Sequence, residues 1–171
     1  LWASTRADAD LDSMSEPRPL REEDLDSISL TRRIPVRELR SKGWRTRPVD
    51  HATESEINQA TGSTESPQSE GIPVLVLILL SFMKQGLEPH MWKRDIARAY
   101  RTLPIRSEHL EFSWVVFAFL GTLWVSQHRA MPFGTVSAVY AWHRVGSFLE
   151  AIVLRLGRAP CARYVLSLIH I

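Results

Sequence analysis

Across 171 residues the chain is 44% hydrophobic and 23% charged, with 8 glycines and 10 prolines, which excludes a collagenous or wholly disordered polymer. A single cysteine, Cys161, excludes an internal disulfide framework and any zinc site built on paired cysteines. The six histidines, His51, His90, His109, His128, His143 and His170, lack the i, i+4 pairing of helical metal sites, and the formal net charge is only +2.

That charge is unevenly spread. Residues 1–30 hold eight acidic side chains against three arginines, with Ser and Pro punctuation and no basic-then-apolar leader. Such a beginning reads as a flexible acidic tail over residues 1–35, with no secretory signal. Residues 31–47 reverse the sign, with seven basic side chains against Glu38. This stretch either meets a polyanion or is a solvated face balanced by the tail. Ala52 to Gly71 is rich in Ser, Thr, Glu and Gln and reads as a linker.

Ile72 to Met83 (IPVLVLILLSFM) is apolar over 12 residues, too short for the roughly 20 of a membrane span. It is expected to be a buried core helix, with Pro73 in its first turn. Met91 to Ile96 reads as a short strand and Ile96 to Arg101 as a helical stretch. Phe112–Phe119 and Leu123–Ser126 read as a β-hairpin turning at Gly121. From Thr135 to Leu156 apolar residues recur at three- and four-residue steps, an amphipathic helix stopped by Gly157 and Pro160. Trp114 and Trp142 are expected in the core. The order of elements indicates an α+β fold.

Asp95 closes the short strand. A carboxylate there suits a hard cation such as Mg²⁺, although an Asp between Arg94 and Arg98 is more often a solvated ion-pair partner. Its surroundings carry a resemblance. Lys93-Arg94-Asp95-Ile96-Ala97-Arg98-Ala99-Tyr100-Arg101-Thr102-Leu103-Pro104-Ile105 resembles the first catalytic motif of reverse transcriptases of retroelements. Arg129-Ala130-Met131-Pro132-Phe133-Gly134-Thr135-Val136-Ser137-Ala138 is similar to the second, a Met-Pro-Phe-Gly turn opening a long helix. Gly43–Asp50, with Asn58 beyond it, is similar to the fingers strand and its sequel; His51 departs from the acidic residue common there. The likeness spans residues 43–165.

The resemblance implies a partial right-hand polymerase, fingers plus incomplete palm, over residues 36–165. Its reaction would be RNA-directed DNA synthesis, with dNTPs joined to a primer on an RNA or DNA template by two Mg²⁺ ions. Asp95 and the Ile96 carbonyl would face the metals, and Tyr100 would be the steric gate under the sugar. Arg45 or Arg47 would grip the triphosphate. Phe133 and Gly134 would lie below the incoming base pair, and Arg129 would touch a phosphate. The setting would be intracellular, without membrane or disulfide partner.

The third motif, aromatic-x-Asp-Asp, is broken. Ala162-Arg163-Tyr164-Val165 leads up to it, then Leu166 and Ser167 stand where the two carboxylates belong. Residues 166–171 (LSLIHI) are unlike the family and resemble translated adapter sequence joined to a broken frame. The expectation is therefore a fragment truncated before its third motif, inactive as given, with the Asp-Asp hairpin lost and a palm edge exposed. The alternative is a non-catalytic nucleic-acid-binding or interaction module built on the basic segment.

Overall fold

The computed structural model describes residues 1–41, 43–62, 66–68, 70–164 and 167–170. In chain order its elements are α1 (Trp2–Asp10), β1 (Arg18–Pro19), α2 (Asp24–Ser27), β2 (Leu30–Arg40), β3 (Gly43–Asp50), α3 (Ile57–Ala60), α4 (Ile72–Lys84) and β4 (Trp92–Asp95). There follow β5 (Trp114–Phe119), β6 (Thr122–Gln127), α5 (Val136–Arg155), β7 (Cys161–Tyr164) and β8 (Ser167–His170). The fold is α+β. Two compact units divide it: Leu1–Gly62 with Tyr100–Ala138, and Ser63–Ala99 with Val139–Ile171.

The first unit is built on a five-stranded sheet of order β1-β6-β5-β2-β3. β5 and β6 form the expected hairpin, closed by Leu120 (φ 50°) and Gly121 (φ 76°). Two successive left-handed residues match the twist of the flanking strands, and glycine adopts this conformation without strain. Val115, Phe117 and Val125 point into the core. β2 runs parallel to β5 over Leu30–Arg32, then pairs only with β3 from Arg33 to Arg40. The far half of this ribbon leaves the sheet, and its tip pair Leu39 and Trp44 is about 70% exposed.

Residues 1–35 differ from the flexible tail that their composition suggests. They form α1, β1, α2 and the start of β2. Trp2 stacks on Phe119 at 4.7 Å and meets Trp124 edge-on at 4.7 Å, while Thr5 and Met14 are fully buried. One large aromatic outweighs a polar average, because even a half-buried indole removes on the order of 100 Å² from water. Several of the acidic side chains are matched by arginines: Arg18 forks onto Asp24 at 2.6 and 2.7 Å, and Arg6 reaches Glu16. The same guanidinium of Arg18 sits 5.0 Å over Trp114.

In the second unit β4, β8 and β7 form an antiparallel sheet in that order. The hairpin expected to be missing is therefore present, and β8 covers one edge of β4, with Asp95 opposite Ser167. Ladder bonds are made by backbone groups, so the pairing forms with a serine at that position. α4 starts where Pro73 suggests, yet it is not the buried helix expected: Ile72, Leu77 and Met83 are each more than 60% exposed. α5 matches its periodicity and buries Trp142. The helical stretch expected over Ile96–Arg101 shrinks to a 3-10 turn at Ala99–Thr102, because Arg98 takes a left-handed conformation (φ 56°). Among the described residues no helix is long and apolar enough to cross a membrane.

Candidate functional site

Within the first unit, charged side chains converge under the base of the β2–β3 ribbon. Arg33 and Asp50 are cross-strand partners on the inward face. Arg33 donates from Nε to Asp50 Oδ1 (2.6 Å), from Nη2 to Oδ2 (3.1 Å), and from Nη1 to Thr5 Oγ1 (2.8 Å). His128, just past β6, lies with Nε2 2.9 Å from Asp50 Oδ2 and Nδ1 2.6 Å from Arg101 Nη1. A guanidinium only donates, so Nδ1 accepts and Nε2 carries the proton. Burial pushes the His128 pKa down to about 4, against the opposing pull of Asp50. Burial also opposes ionisation of Asp50, but the bonds from His128 and Arg33 prevail and hold it well below the ordinary carboxylate range. Along the sequence Arg33 is one of a basic run and His128 one of six scattered histidines. Only the register of the folded hairpin brings them together.

The same unit joins two of the segments that carry the resemblance. Asn58 donates from Nδ2 to the Gly134 carbonyl (3.0 Å) and accepts from the Val136 amide at Oδ1 (2.9 Å). One side chain thus ties the segment after β3 to the Met131–Gly134 turn and caps α5. Gly134 has φ 97°, and a Cβ there would lie 3.2 Å from the Asp50 carbonyl, so glycine alone fits without strain. Tyr100 is buried and meets Phe133 edge-to-face at 5.0 Å, and burial pushes its hydroxyl pKa up. Phe133 is half exposed.

Arg45 and Arg47 share one face of β3. Arg45 is exposed opposite Glu38, and Arg47 Nε lies 3.1 Å from the Glu38 carboxylate. A hydrogen bond from Arg40, helped by the charges of Arg47 and Arg45, holds Glu38 below its usual pKa. Arg129 pairs through its guanidinium with Asp12, an exposed contact that a phosphate would have to displace.

Asp95 and Ile96 belong to the second unit, Asp95 exposed at the end of β4 and Ile96 half-buried. Here too a buried arginine organises the packing. Arg163 on β7 bonds through Nη2 to the Gln68 carbonyl (3.2 Å), Ser147 Oγ (3.2 Å) and His143 Nδ1 (3.0 Å). Gly146 makes room for it, since a Cβ there would lie 2.8 Å from Arg163 Cδ. Burial and nearby Glu70 push the Glu150 carboxyl pKa up. Burial likewise raises that of the Cys161 thiol.

Among the described residues no three Asp, Glu, His or Cys side chains gather as a metal-ligand set. Of the two positions where the resemblance expects Asp-Asp, Leu166 lies outside the described residues, as does Val165 before it, and the other is a serine, Ser167. One carboxylate, Asp95, does not fit a site for two Mg²⁺ ions. Compared with known proteins, the sequence matches no family model and no curated protein.

Proposed function

We propose that the chain is a reverse-transcriptase-like piece, fingers with part of a palm, that binds primer–template and nucleotide but does not join them. The observation that carries this reading is the backbone pairing of Asp95 with Ser167, which brings the end of the strand from the first motif next to the strand that follows the third-motif positions. It gains support from Tyr100 against Phe133, two residues taken from the first and second motifs. It is supported also by Asn58, which bridges the fingers sequel to the Met131–Gly134 turn.

What the residues do follows from their chemistry. Phe133, half exposed with the buried Tyr100 packed edge-to-face behind it, offers a ring suited to a sugar face, and Tyr100 would act as the gate by positioning it. Gly134 lets backbone approach a base pair closely. Arg45 is the more available triphosphate contact, because Glu38 already neutralises Arg47 in part. Nucleotidyl transfer would need further carboxylates beside Asp95, so no catalytic step is assigned to this chain.

Two measurements test the reading. Fluorescence anisotropy with a labelled primer–template should detect salt-sensitive binding, and primer extension with Mg²⁺ should yield no product. No binding at low salt would overturn the assignment, and template-directed synthesis would overturn the inactivity. A second reading, a plain nucleic-acid-binding module, is favoured by the projecting ribbon with exposed Trp44 beside Arg45. Binding unaffected by dNTP, by Mg²⁺ and by Tyr100→Ala would select it.

A further inference from the structure

Wholly within the first unit, the structure holds a cavity of about 410 Å³. Its size falls in the range of small-molecule sites, about 300–1,000 Å³. The walls are mainly apolar: Ile57 from α3, Ile105, Phe112 and Val115 from the segment entering β5, and Met131 with Pro132 from the turn before α5. None of the residues expected at the nucleotide site lines it.

Its charge is what selects a ligand. Three lining residues carry ionisable side chains: Asp50, His128 and His109. Asp50 is matched by Arg33 through two bonds, and His128 uses Nε2 on Asp50 and Nδ1 on Arg101. The inner wall therefore carries no uncompensated charge and turns no ionic group toward the cavity that still needs a partner. His109 stands exposed. An ion entering would lose hydration against apolar walls without a counter-charge, whereas a neutral apolar molecule loses only unfavourable hydration. The hydroxyls of Thr31, Thr61, Ser113 and Thr135 in the lining already donate to Ser55 Oγ and to backbone carbonyls, while Ser137, in the first turn of α5, adds a further hydroxyl at the positive end of a 20-residue helix. That favours one acceptor atom on an otherwise apolar guest.

We infer that the first unit binds a neutral, largely apolar small molecule of aromatic-ring size with a single hydrogen-bond acceptor, in the cavity between α3, Phe112 and the Met131–Pro132 turn. This site is separate from the one proposed for nucleotide and does not depend on it.

Prodan, a neutral naphthyl ketone whose emission moves to the blue in apolar surroundings, is a suitable probe. The full chain should bind it saturably, with a dissociation constant on the order of 100 µM or tighter. Ala60 lines the cavity yet is exposed, so Ala60→Trp can fill the space from the rim with little cost to the fold. It should weaken binding at least tenfold while the thermal midpoint stays unchanged. Methyl NMR gives a second readout: of the methionines, Met131 should shift on titration while Met83 and Met91 on the exposed second-unit surface stay still. Should the Trp variant not fold, the methyl shifts of the unaltered chain decide the matter alone. Non-saturable binding, shifts at Met83 or Met91 instead of Met131, equal affinity in a folded Ala60→Trp, or tighter binding of an anionic naphthalene sulfonate would each overturn the inference.

Discussion

Arg33 and Asp50 face each other across the β2–β3 ribbon as a buried two-bond ion pair, with Nε–Oδ1 at 2.6 Å and both side chains almost wholly out of water. The pair also reaches α1 through Thr5 and the end of β6 through His128. It therefore ties the β2–β3 hairpin to two segments far from it in sequence, α1 and the end of β6. Breaking it from one side leaves an unpaired charge in the interior. Asp50→Ala should cost about 3–5 kcal/mol in urea unfolding. Arg33→Met combined with Asp50→Leu should cost much less than the two single variants summed, because no charge is then stranded. A double variant as unstable as that sum would show that the pair supplies net stability rather than specificity.

The His128 ring supplies a pH dependence. Its folded pKa of about 4 lies below the ordinary 6.5, so between those values the unfolded chain binds a proton that the folded chain refuses. Stability is therefore full above about pH 6.5 and falls as acid is added toward pH 4, by on the order of 3 kcal/mol. Below the ordinary carboxylate range Asp50 adds to the loss, since its folded pKa is depressed as well. Asp24, held at about 2 chiefly by its bond from Arg18, follows between its usual 3.8 and that value. Denaturant midpoints at pH 7, 5.5 and 4.5 should fall in that order, and His128→Gln should flatten the decline between pH 6.5 and 4.

How much of this was legible beforehand depends on which interactions decide each element. The β5–β6 hairpin and α5 follow from local signals, a Gly121 turn and a repeating apolar stripe, and both stand where the sequence places them. α1 escaped because what holds it is non-local: Trp2 meets Phe119 and Trp124 more than a hundred positions away, and Thr5 accepts from Arg33. The Arg33–Asp50–His128 network escaped for the same reason, since charge counting along the chain cannot tell a buried arginine from a solvated one. α4 misled in the opposite sense: an apolar helix implies a covering surface, and over much of this one the described residues supply none.

Asn58 caps the long helix at a distance of 78 positions. Asn58→Ala removes both bonds and leaves the Val136 amide and Gly134 carbonyl without that partner. A loss of about 1–2 kcal/mol is expected, with amide exchange rising first in the opening turn of α5. Gly134→Ala should be comparably harmful, as its Cβ would meet the Asp50 carbonyl at 3.2 Å with φ at 97°. A neutral result at either position would separate the turn from the β3 end.

The ribbon arginines give the sharpest contrast between a basic run as sequence and as surface. Arg33 is spent inside, Arg32 pairs with Glu54, and Arg40 and Arg47 share Glu38. Arg45, exposed opposite Glu38 and next to Trp44, is the side chain best placed to meet a phosphate. Arg45→Ala should weaken primer–template binding and reduce the slope of log affinity against log salt by about 1. Arg47→Ala should change the slope by less, because its charge is already offset by Glu38 at 3.1 Å. Trp44→Ala should lower affinity by about 1–3 kcal/mol without altering the slope, as loss of stacking releases no counterion. Equal slopes for all three variants would mean that nucleic acid meets the chain elsewhere, and the ribbon would then be a solvated arm.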